Sequence, residues 1–399
     1  MSVRKRTWKT SKGVEKEAWV VDYVDRVEGG KRRLKSFDKK KDAVNFAATA
    51  RTEVRAGTHT ADSQSVTISE AGRLWIATGE KNRLERSTLT MYRQQLTLHI
   101  APYLGNVKLS QLSAPMVREF EDKLTRDGRS AAMVRKVHVS LSSLISDALE
   151  RGLVTHNVVR ELRARRKPGR ERKAERRQRG KLKVGVDIPT REEIRAIVEA
   201  AEGRWRPLLL TAIFTGLRAS ELRGLRWQDV DLAKRELHVR QRADRYLAIG
   251  SPKSESGERA VPLPPIVVTT LREWKLACAK SDLDLVFPSK FGRVEHHATV
   301  VRCGLAPVQI AAGVTVTGTD KDGAPIVRAK YTGLHSLRHF YASWCINRRT
   351  DGGLELPAKV VQERLGHSGI SMTMDVYGHL FPRGDDAAEL AAAEKSLLG

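Results

Sequence analysis

Cysteine is scarce in this sequence. Three of the 399 residues are cysteine, namely Cys278, Cys303 and Cys345, and no two of them form a CxxC pair. An odd number without such pairs argues against both a disulfide framework and a cysteine-rich zinc module. We therefore expect the protein to work in a reducing cytoplasm.

Long apolar runs are lacking as well. No stretch approaches the roughly 18 uncharged apolar residues that a membrane-spanning helix needs. The first residues, MSVRKRTWKTSKG, are basic, but no apolar segment follows them. The sequence thus predicts neither a secretion signal nor a membrane partner.

Acidic residues are few relative to basic ones. The chain has 72 Lys and Arg against 47 Asp and Glu, which gives a formal net charge of +25. Such a balance predicts a polyanionic partner, and nucleic acid is the first candidate.

The basic excess is densest between two globular segments. Residues 163–183, RARRKPGRERKAERRQRGKLK, hold 12 basic and 2 acidic side chains and show no apolar periodicity. The alternative is a solvated charged helix without a ligand, but a charge this dense would repel itself without counter-charge. We interpret 163–186 as a basic linker that lies along phosphates.

Residues 1–60 have the alternation of a small sheet. Two predicted strands, 18–24 and 32–37, flank Gly29-Gly30, which is a hairpin signal, and a helix ending at Gly57 follows. This predicts a sheet covered by one helix. The basic, aromatic strands could lie in a DNA groove or be an ordinary half-buried sheet.

Residues 61–162 predict a compact helical bundle. Thr67 to Glu70 is a capping box, Ser87 precedes a second helix, and Ser113-Ala114-Pro115 begins a third. A fourth helix places one apolar face toward the core, with Val134, Val137, Leu141, Leu144 and Ala148.

Residues 187–384 predict a mixed, mainly helical domain with small antiparallel sheets. Thr190 to Glu193 is another capping box, 236–263 is rich in strands, and 314–331 is an extended pair with Asp322-Gly323 at its turn. The fold class is thus mainly α and multidomain, and 385–399 is an amphipathic tail helix.

Six polar side chains in the last domain share one chemical logic. His335 and Arg338 are spaced i and i+3, so both emerge from one helix face. Arg218 follows a Thr-Gly turn, Lys253 lies at a hairpin tip, and His367 precedes Tyr377 by ten residues. Guanidinium groups can clamp a phosphodiester, a phenol can attack it, and Lys or His can protonate the leaving oxygen. This chemistry requires no metal and no cofactor.

These residues lie in phrases that resemble the box motifs of tyrosine recombinases, specifically integrases of temperate phages and related mobile elements. The phrases are TGLRASELRGLRWQDVD, PKSESGERAVPL, LHSLRHFYASW and ERLGHSGISMTMDVYGHLF, in the family's order over 187–382. The segments before them resemble the family's arm-type DNA-binding domain, over 1–60, and its SAM-like core-binding bundle, over 61–162.

The resemblance implies a role for each site residue. Tyr377 would attack the scissile phosphate and form a 3′-phosphotyrosyl bond. Arg218 and Arg338 would clamp the non-bridging oxygens. His335 and His367 would hydrogen-bond the phosphate or shuttle protons, and Lys253 would protonate the leaving 5′ oxygen.

The resemblance also implies the setting of the reaction. The partners would be double-stranded DNA attachment sites, a homotetramer that exchanges strands through a four-way junction, and an excisionase and a host DNA-bending protein. Integration or excision of the element would take place in the bacterial host cytoplasm, at the nucleoid. The tail helix could dock on a neighbouring protomer or fold back on its own domain.

Several alternatives remain open from the residues themselves. Glu221 could orient an arginine or histidine, or be a helix-surface carboxylate. His335 and His339 have zinc-helix spacing, but Ser336 stands where a metalloprotease has its Glu, so we favour a packing or supporting role for His339. The rival functions are a type IB topoisomerase and a non-catalytic DNA-binding regulator with the same fold.

Overall fold

The computed structural model describes residues 1–11, 13–25, 31–56, 65–165, 181–252, 254–320, 322–382 and 386–398. The chain divides into two units, Met1–Gly169 and Arg170–Gly399. The division falls inside the basic segment, whose residues 166–180 lie outside the described part of the chain.

A small antiparallel sheet covered by one helix opens the first unit, as predicted. Its order is β1 (Ser2–Lys9), β2 (Glu15–Asp25) and β3 (Lys31–Phe37), followed by α1 (Lys40–Ala56). Val21 and Tyr23 of the central strand pack against Ala43 and Ala47 of the helix. The predicted Gly29-Gly30 turn and Gly57 lie outside the described residues.

The rest of the first unit is a helical bundle. Its helices are α2 (Ile68–Lys81), α3 (Arg86–Gln95), α4 (Ala101–Leu104), α5 (Ala114–Arg126), α6 (Ala131–Glu150) and α7 (Val158–Arg165), with a π-helical turn at Leu96–Ile100 and a 3-10 turn at Leu109–Gln111. The predicted capping box is confirmed, because Glu70 N donates to Thr67 Oγ1 and Thr67 N donates to Glu70 Oε2. Val137, Leu141, Leu144 and Ala148 of α6 are buried as expected.

Two features of the bundle differ from the prediction. The helix expected after Ser87 begins at Arg86, because the Glu85 carbonyl accepts from the amides of Thr88 and Leu89 and so starts the first turn earlier. α7 was not predicted; Val159 and Leu162 give it a buried face against the same core.

Helices dominate the second unit. They are α8 (Arg191–Ala200), α9 (Trp205–Thr215), α10 (Ala219–Gly224), α11 (Pro265–Ala277), α12 (His297–Thr299), α13 (Ala306–Ala311), α14 (His335–Ile346), α15 (Ala358–Leu365), α16 (Ile370–Tyr377) and α17 (Asp386–Leu398), with a π-helical segment at Val300–Leu305 and 3-10 turns at Trp227–Asp229, Glu255–Gly257 and Gly378–Leu380. The second predicted capping box, Thr190 with Glu193, is present.

Short antiparallel strands accompany these helices. β4 (Val230–Asp231), β5 (Glu236–Val239) and β8 (Arg259–Pro262) form one sheet, β6 (Arg242–Ala243) pairs with β7 (Ile249–Gly250), and β9 (Thr315–Thr319) pairs with β10 (Pro325–Ala329). The predicted turn between β9 and β10 is confirmed, and Gly323 adopts a positive φ of 83° there.

Helix α9 is the centre of the second unit. Its sequence, WRPLLLTAIFT, is apolar around most of its circumference, and residues from Pro207 to Ile213 are buried. A helix without a polar face is typical of a core position. Because packing holds α9 on all sides, the turn at its C-terminal end is also held in place.

A second apolar cluster of this unit joins α14, α15 and α16. Tyr341, Ala342 and Ile346 of α14 pack with Val361 and Leu365 of α15 and with Tyr377 at the end of α16.

None of the helices in the described part of the chain is long and apolar enough to span a membrane.

Candidate active site

Arg338 lies at the centre of the candidate site. It is 2% exposed on the buried side of α14, where its Nη1 donates to Gly216 O at 2.7 Å and its Nη2 donates to Leu365 O at 2.6 Å. Burial lowers the pKa of this guanidinium to about 10, so it stays charged at neutral pH. One side chain thus joins α14 to the C-terminal ends of α9 and α15.

Arg218 reaches the same place from the turn after α9. Gly216 makes that turn with a φ of 61°, and a Cβ there would come within 2.4 Å of the Tyr341 ring. Arg218 then donates from Nη2 to Gly366 O at 2.9 Å. The two predicted arginines therefore converge on adjacent carbonyls, those of Leu365 and Gly366.

Glu221 holds two arginines side by side. It is 3% exposed, accepts from Arg218 Nη1 at 2.7 Å and accepts from Arg259 Nη2 at 2.9 Å. Burial alone would raise the pKa of this carboxyl, but Arg259 and Arg218 lower it below its ordinary value. The alternative of a helix-surface carboxylate is therefore wrong, because the short helix α10 turns this face inward.

The two predicted histidines have different environments. His335 begins α14 and is exposed, and its pKa is lowered by partial desolvation and by the charges of Arg338 and Arg218. His367 is buried, and burial together with Arg338 lowers its pKa to about 4. Its Nδ1 lies 2.9 Å from Thr373 Oγ1. Both rings are neutral at pH 7, so each can donate and accept.

Tyr377 ends α16 and is 1% exposed. Burial raises the pKa of its phenol to about 12, although Arg338 and Arg218 oppose the shift. Its ring lies parallel to that of His367, with ring centroids 6.2 Å apart, and its hydroxyl lies 2.8 Å from Nδ1 of His339. His339 thus supports the tyrosine directly.

Five of the six predicted residues thus lie on the elements that meet around Arg338. The sixth, Lys253, lies outside the described residues. Within the described ranges, no group of three or more His, Cys, Asp or Glu side chains is placed to hold a metal ion. The arrangement can present several fixed cations and two neutral imidazoles to a phosphodiester beside a phenol.

Two segments of the chain match known protein families. Residues 189–383 match the phage integrase family, and residues 67–125 match the N-terminal SAM-like domain of phage integrases. The two matches together span more than half of the chain. The chain belongs to the phage integrase family of tyrosine recombinases. It is therefore a site-specific DNA recombinase, and nothing in the comparisons favours the topoisomerase or the regulator.

Individual relatives extend this likeness over nearly the whole recombinase. A "Tyrosine recombinase XerC-like" protein of Caldanaerobacter subterraneus subsp. tengcongensis is 26% identical over 383 residues, which is 90% of this chain and 91% of the relative. The "ICEBs1 integrase" of Bacillus subtilis is 22% identical over 86% of this chain and 87% of its own.

Solved structures share the fold of the recombinase. The Tn1549 transposon integrase bound to transposon right end DNA superposes with a TM-score of 0.62 at 17% identity, over 83% of this chain and 100% of the other. A lambda integrase tetramer bound to a Holliday junction superposes with a TM-score of 0.53 at 18% identity, over 92% and 96%.

Two residues of the recombinase site were not predicted from the sequence. Arg259, at the start of β8, completes the pair around Glu221, and its only signal was its place in the phrase SPKSESGERAVPL. Thr373 holds His367, and its only signal was its spacing of six residues from that histidine. Neither position could be told from a surface polar residue without the fold.

Proposed function

We propose that Tyr377 is the nucleophile of this recombinase and that its hydroxyl attacks the scissile phosphate. The Tyr377 Oη–P bond would form as the bond from phosphorus to the 5′ oxygen breaks, leaving a 3′-phosphotyrosyl bond and a 5′ hydroxyl. The observation that carries the proposal is the convergence of Arg218 and Arg338 on adjacent carbonyls, with their charges acting on the Tyr377 phenol.

Arg218 and Arg338 are the proposed clamp for the non-bridging oxygens. A guanidinium has five N–H donors, so each arginine keeps donors for a phosphate while it holds a carbonyl. Since these cations are fixed by the fold, they stabilise the charge of the pentacoordinate transition state without reorganising. Glu221 keeps Arg218 in place. Because its one negative charge also pairs with Arg259, the net charge of the three side chains stays positive.

His335, His367 and Lys253 complete the proposed machinery. His335, exposed at the start of α14, would meet the phosphate from the open side. His367, held through Nδ1 by Thr373, would present Nε2 to the phosphate or to the leaving oxygen. Lys253 would protonate the 5′ oxygen.

The 5′ hydroxyl of a partner strand would then attack the phosphotyrosine, so the bond energy stored in it drives joining without ATP. We propose that four protomers act on two duplexes through a four-way junction, in the bacterial cytoplasm, to integrate or excise a phage or mobile element. An excisionase and a host DNA-bending protein are the proposed accessory factors.

The proposed division of labour follows the segments of the chain. Residues 61–162 and 187–384 would hold the core site, and the basic linker 163–186 would cross the backbone between them. Residues 1–60 would bind arm-type sites. The tail helix within 385–399 would dock on a neighbouring protomer.

The test uses a nicked duplex with the core site read from the junctions of the integrated element. Wild-type protein stopped with SDS should carry covalent DNA on the peptide that contains Tyr377, as peptide mass spectrometry would detect. Tyr377→Phe should bind the duplex normally and form no adduct. Tyr246→Phe, a tyrosine of the same unit, is the matched control. An adduct in Tyr377→Phe would make another residue the nucleophile.

A further inference from the structure

The Tyr377 hydroxyl is held by a histidine outside the six predicted site residues. Its Oη lies 2.8 Å from Nδ1 of His339, and the two rings meet edge to face with centroids 5.7 Å apart. Because the phenol is buried, this contact replaces the water that would otherwise solvate the hydroxyl. His339 is the next residue after Arg338 on α14, so the helix that positions the clamp also positions this ring.

The groups around His339 keep its ring neutral. Burial, the edge-on ring of His335 at a centroid distance of 4.5 Å, and the charge of Arg338 all disfavour a second proton, while Asp187 acts in the opposite direction. The result is a pKa of about 4. At neutral pH the ring therefore carries one proton and one free lone pair.

We propose that His339 is the general base that accepts the phenolic proton of Tyr377, an inference that rests on the proposed role of Tyr377 as nucleophile. In this arrangement the His339 proton is on Nε2, and Nδ1 accepts from the tyrosine hydroxyl. His339 contacts the reacting oxygen itself.

The proton balance is complete without any added reactant. As the Tyr377 Oη–P bond forms, the Oη–H bond breaks and its proton moves to His339 Nδ1, which gives an imidazolium. The bond between phosphorus and the 5′ oxygen breaks, and that oxygen takes a proton from the general acid. In the joining step the attacking 5′ hydroxyl gives its proton back to the group that acted as general acid, and His339 returns its proton to the departing phenolate.

The two pKa values keep the Tyr377 hydroxyl protonated in the DNA-free protein. A base with a pKa of about 4 does not ionise a phenol with a pKa of about 12 at rest. The phenol becomes acidic only as its oxygen bonds to phosphorus, and an incoming phosphate adds negative charge that raises the pKa of His339. Tyr377 therefore stays protonated until a phosphate is clamped.

His339→Asn tests this role, because Asn places a polar atom where His has Nδ1 but cannot accept a proton at neutral pH. Single-turnover cleavage of the nicked duplex should slow by about 10² to 10⁴-fold, while duplex binding changes by less than about twofold. His296→Asn, an exposed histidine of the same unit, should cleave at the wild-type rate. Thermal melting checks each fold, and His339→Gln replaces the Asn variant if that one does not melt cooperatively.

Fluorinated tyrosine at position 377 separates proton transfer from simple positioning. Fluorination lowers the pKa of the phenol. It should therefore accelerate cleavage by the His339→Asn variant more than it accelerates cleavage by the wild type. Equal effects in both proteins would overturn the proposal, as would cleavage by His339→Asn within about threefold of the wild type.

A substrate with sulfur in place of the 5′ bridging oxygen distinguishes the role of general base from the role of general acid. A thiolate leaves without a proton, so this substrate should rescue Lys253→Ala and should not rescue His339→Asn. Rescue of His339→Asn would assign the histidine to the leaving group and overturn the proposal. Failure of the wild type to form an adduct on Tyr377 would instead refute the proposed nucleophile.

Discussion

At the scale of single residues, Arg338 and Arg218 are held by hydrogen bonds to backbone carbonyls. Arg338 donates to Gly216 O and Leu365 O, and Arg218 donates to Gly366 O. A carbonyl accepts without neutralising the guanidinium, so the positive charge stays available for a phosphate. A site built from ion pairs alone would have cancelled that charge.

Thr373 holds the ring of His367 through the hydrogen bond between its hydroxyl and Nδ1. Thr373→Val keeps the side-chain shape but removes the hydroxyl that pairs with buried Nδ1, so the free energy of unfolding should fall by about 1 to 3 kcal/mol. Cleavage should slow as well, because the ring loses its fixed orientation. Denaturant unfolding and single-turnover cleavage measure the two effects. Thr373→Ser retains the hydroxyl and should retain both properties; a Val variant equal to it would contradict this role.

His339 and His367 make the stability of the second unit depend on pH. Both have a pKa of about 4 in the folded protein, against roughly 6.5 for unfolded histidine. Between these values the unfolded chain binds more protons, so stability is complete above about pH 6.5 and falls as the pH drops toward 4. At pH 5 the loss should be on the order of 1 to 2 kcal/mol for each histidine.

Urea unfolding of the DNA-free protein at pH 7 and pH 5 measures this loss. The double variant His339→Asn/His367→Asn should lose less stability between the two pH values than the wild type does. An equal loss in both proteins would assign the acid sensitivity to other groups.

At the scale of elements, the end of α15 is the point on which the site depends. Gly366 ends that helix with a left-handed φ of 61°, and a Cβ there would lie 2.7 Å from Arg259 Nη1 and 2.9 Å from Ser256 O. Its carbonyl also accepts from Arg218. One residue thus sets the direction of the chain into His367 and the position of two arginines.

Gly366→Ala should therefore slow cleavage more than the addition of one methyl group would suggest. The left-handed conformation costs a non-glycine residue roughly 1 to 2 kcal/mol, and Arg259 must move. We expect cleavage to slow by at least about tenfold, with a lower melting temperature. Gly369→Ala is the matched control, because Gly369 has an extended φ of −157° and a Cβ added there would meet no atom within 4 Å. Similar losses in both variants would contradict the argument.

At the scale of the whole molecule, charge is the dominant property. The excess of 72 basic over 47 acidic residues is most concentrated in residues 163–183. If this linker lies along phosphates, its cations release counterions from DNA, and each neutralised phosphate contributes about 0.9 to the slope of log affinity against log salt.

Replacing six linker residues with Gln tests this, at Arg170, Arg172, Lys173, Arg176, Arg177 and Arg179. The salt slope for a core-site duplex should become shallower by up to about 5, as measured by fluorescence anisotropy over a series of salt concentrations. Replacing the five arginines of this set with Lys preserves charge and should leave the slope unchanged. An unchanged slope in the Gln variant would place the linker away from the phosphates.

Local signals were sufficient for much of the architecture. The capping boxes at Thr67 and Thr190, the β9–β10 turn at Gly323 and the apolar face of α6 each depend on residues a few positions apart, and the structure confirms them. The start of α3 differed, because a backbone carbonyl began the helix there and no side chain marked it.

The sequence by itself determined the kinds of chemical group present, their order along the chain and the local elements that carry them, since those follow from propensity and short-range hydrogen bonds. Tertiary structure alone decided which groups meet. Glu221 finds Arg259 across 38 residues, Arg338 finds Gly216 across 122, and Tyr377 finds His339 across 38. Such contacts arise because α9, α14, α15 and α16 bury their apolar faces together, and no local pattern encodes the distances that this packing imposes.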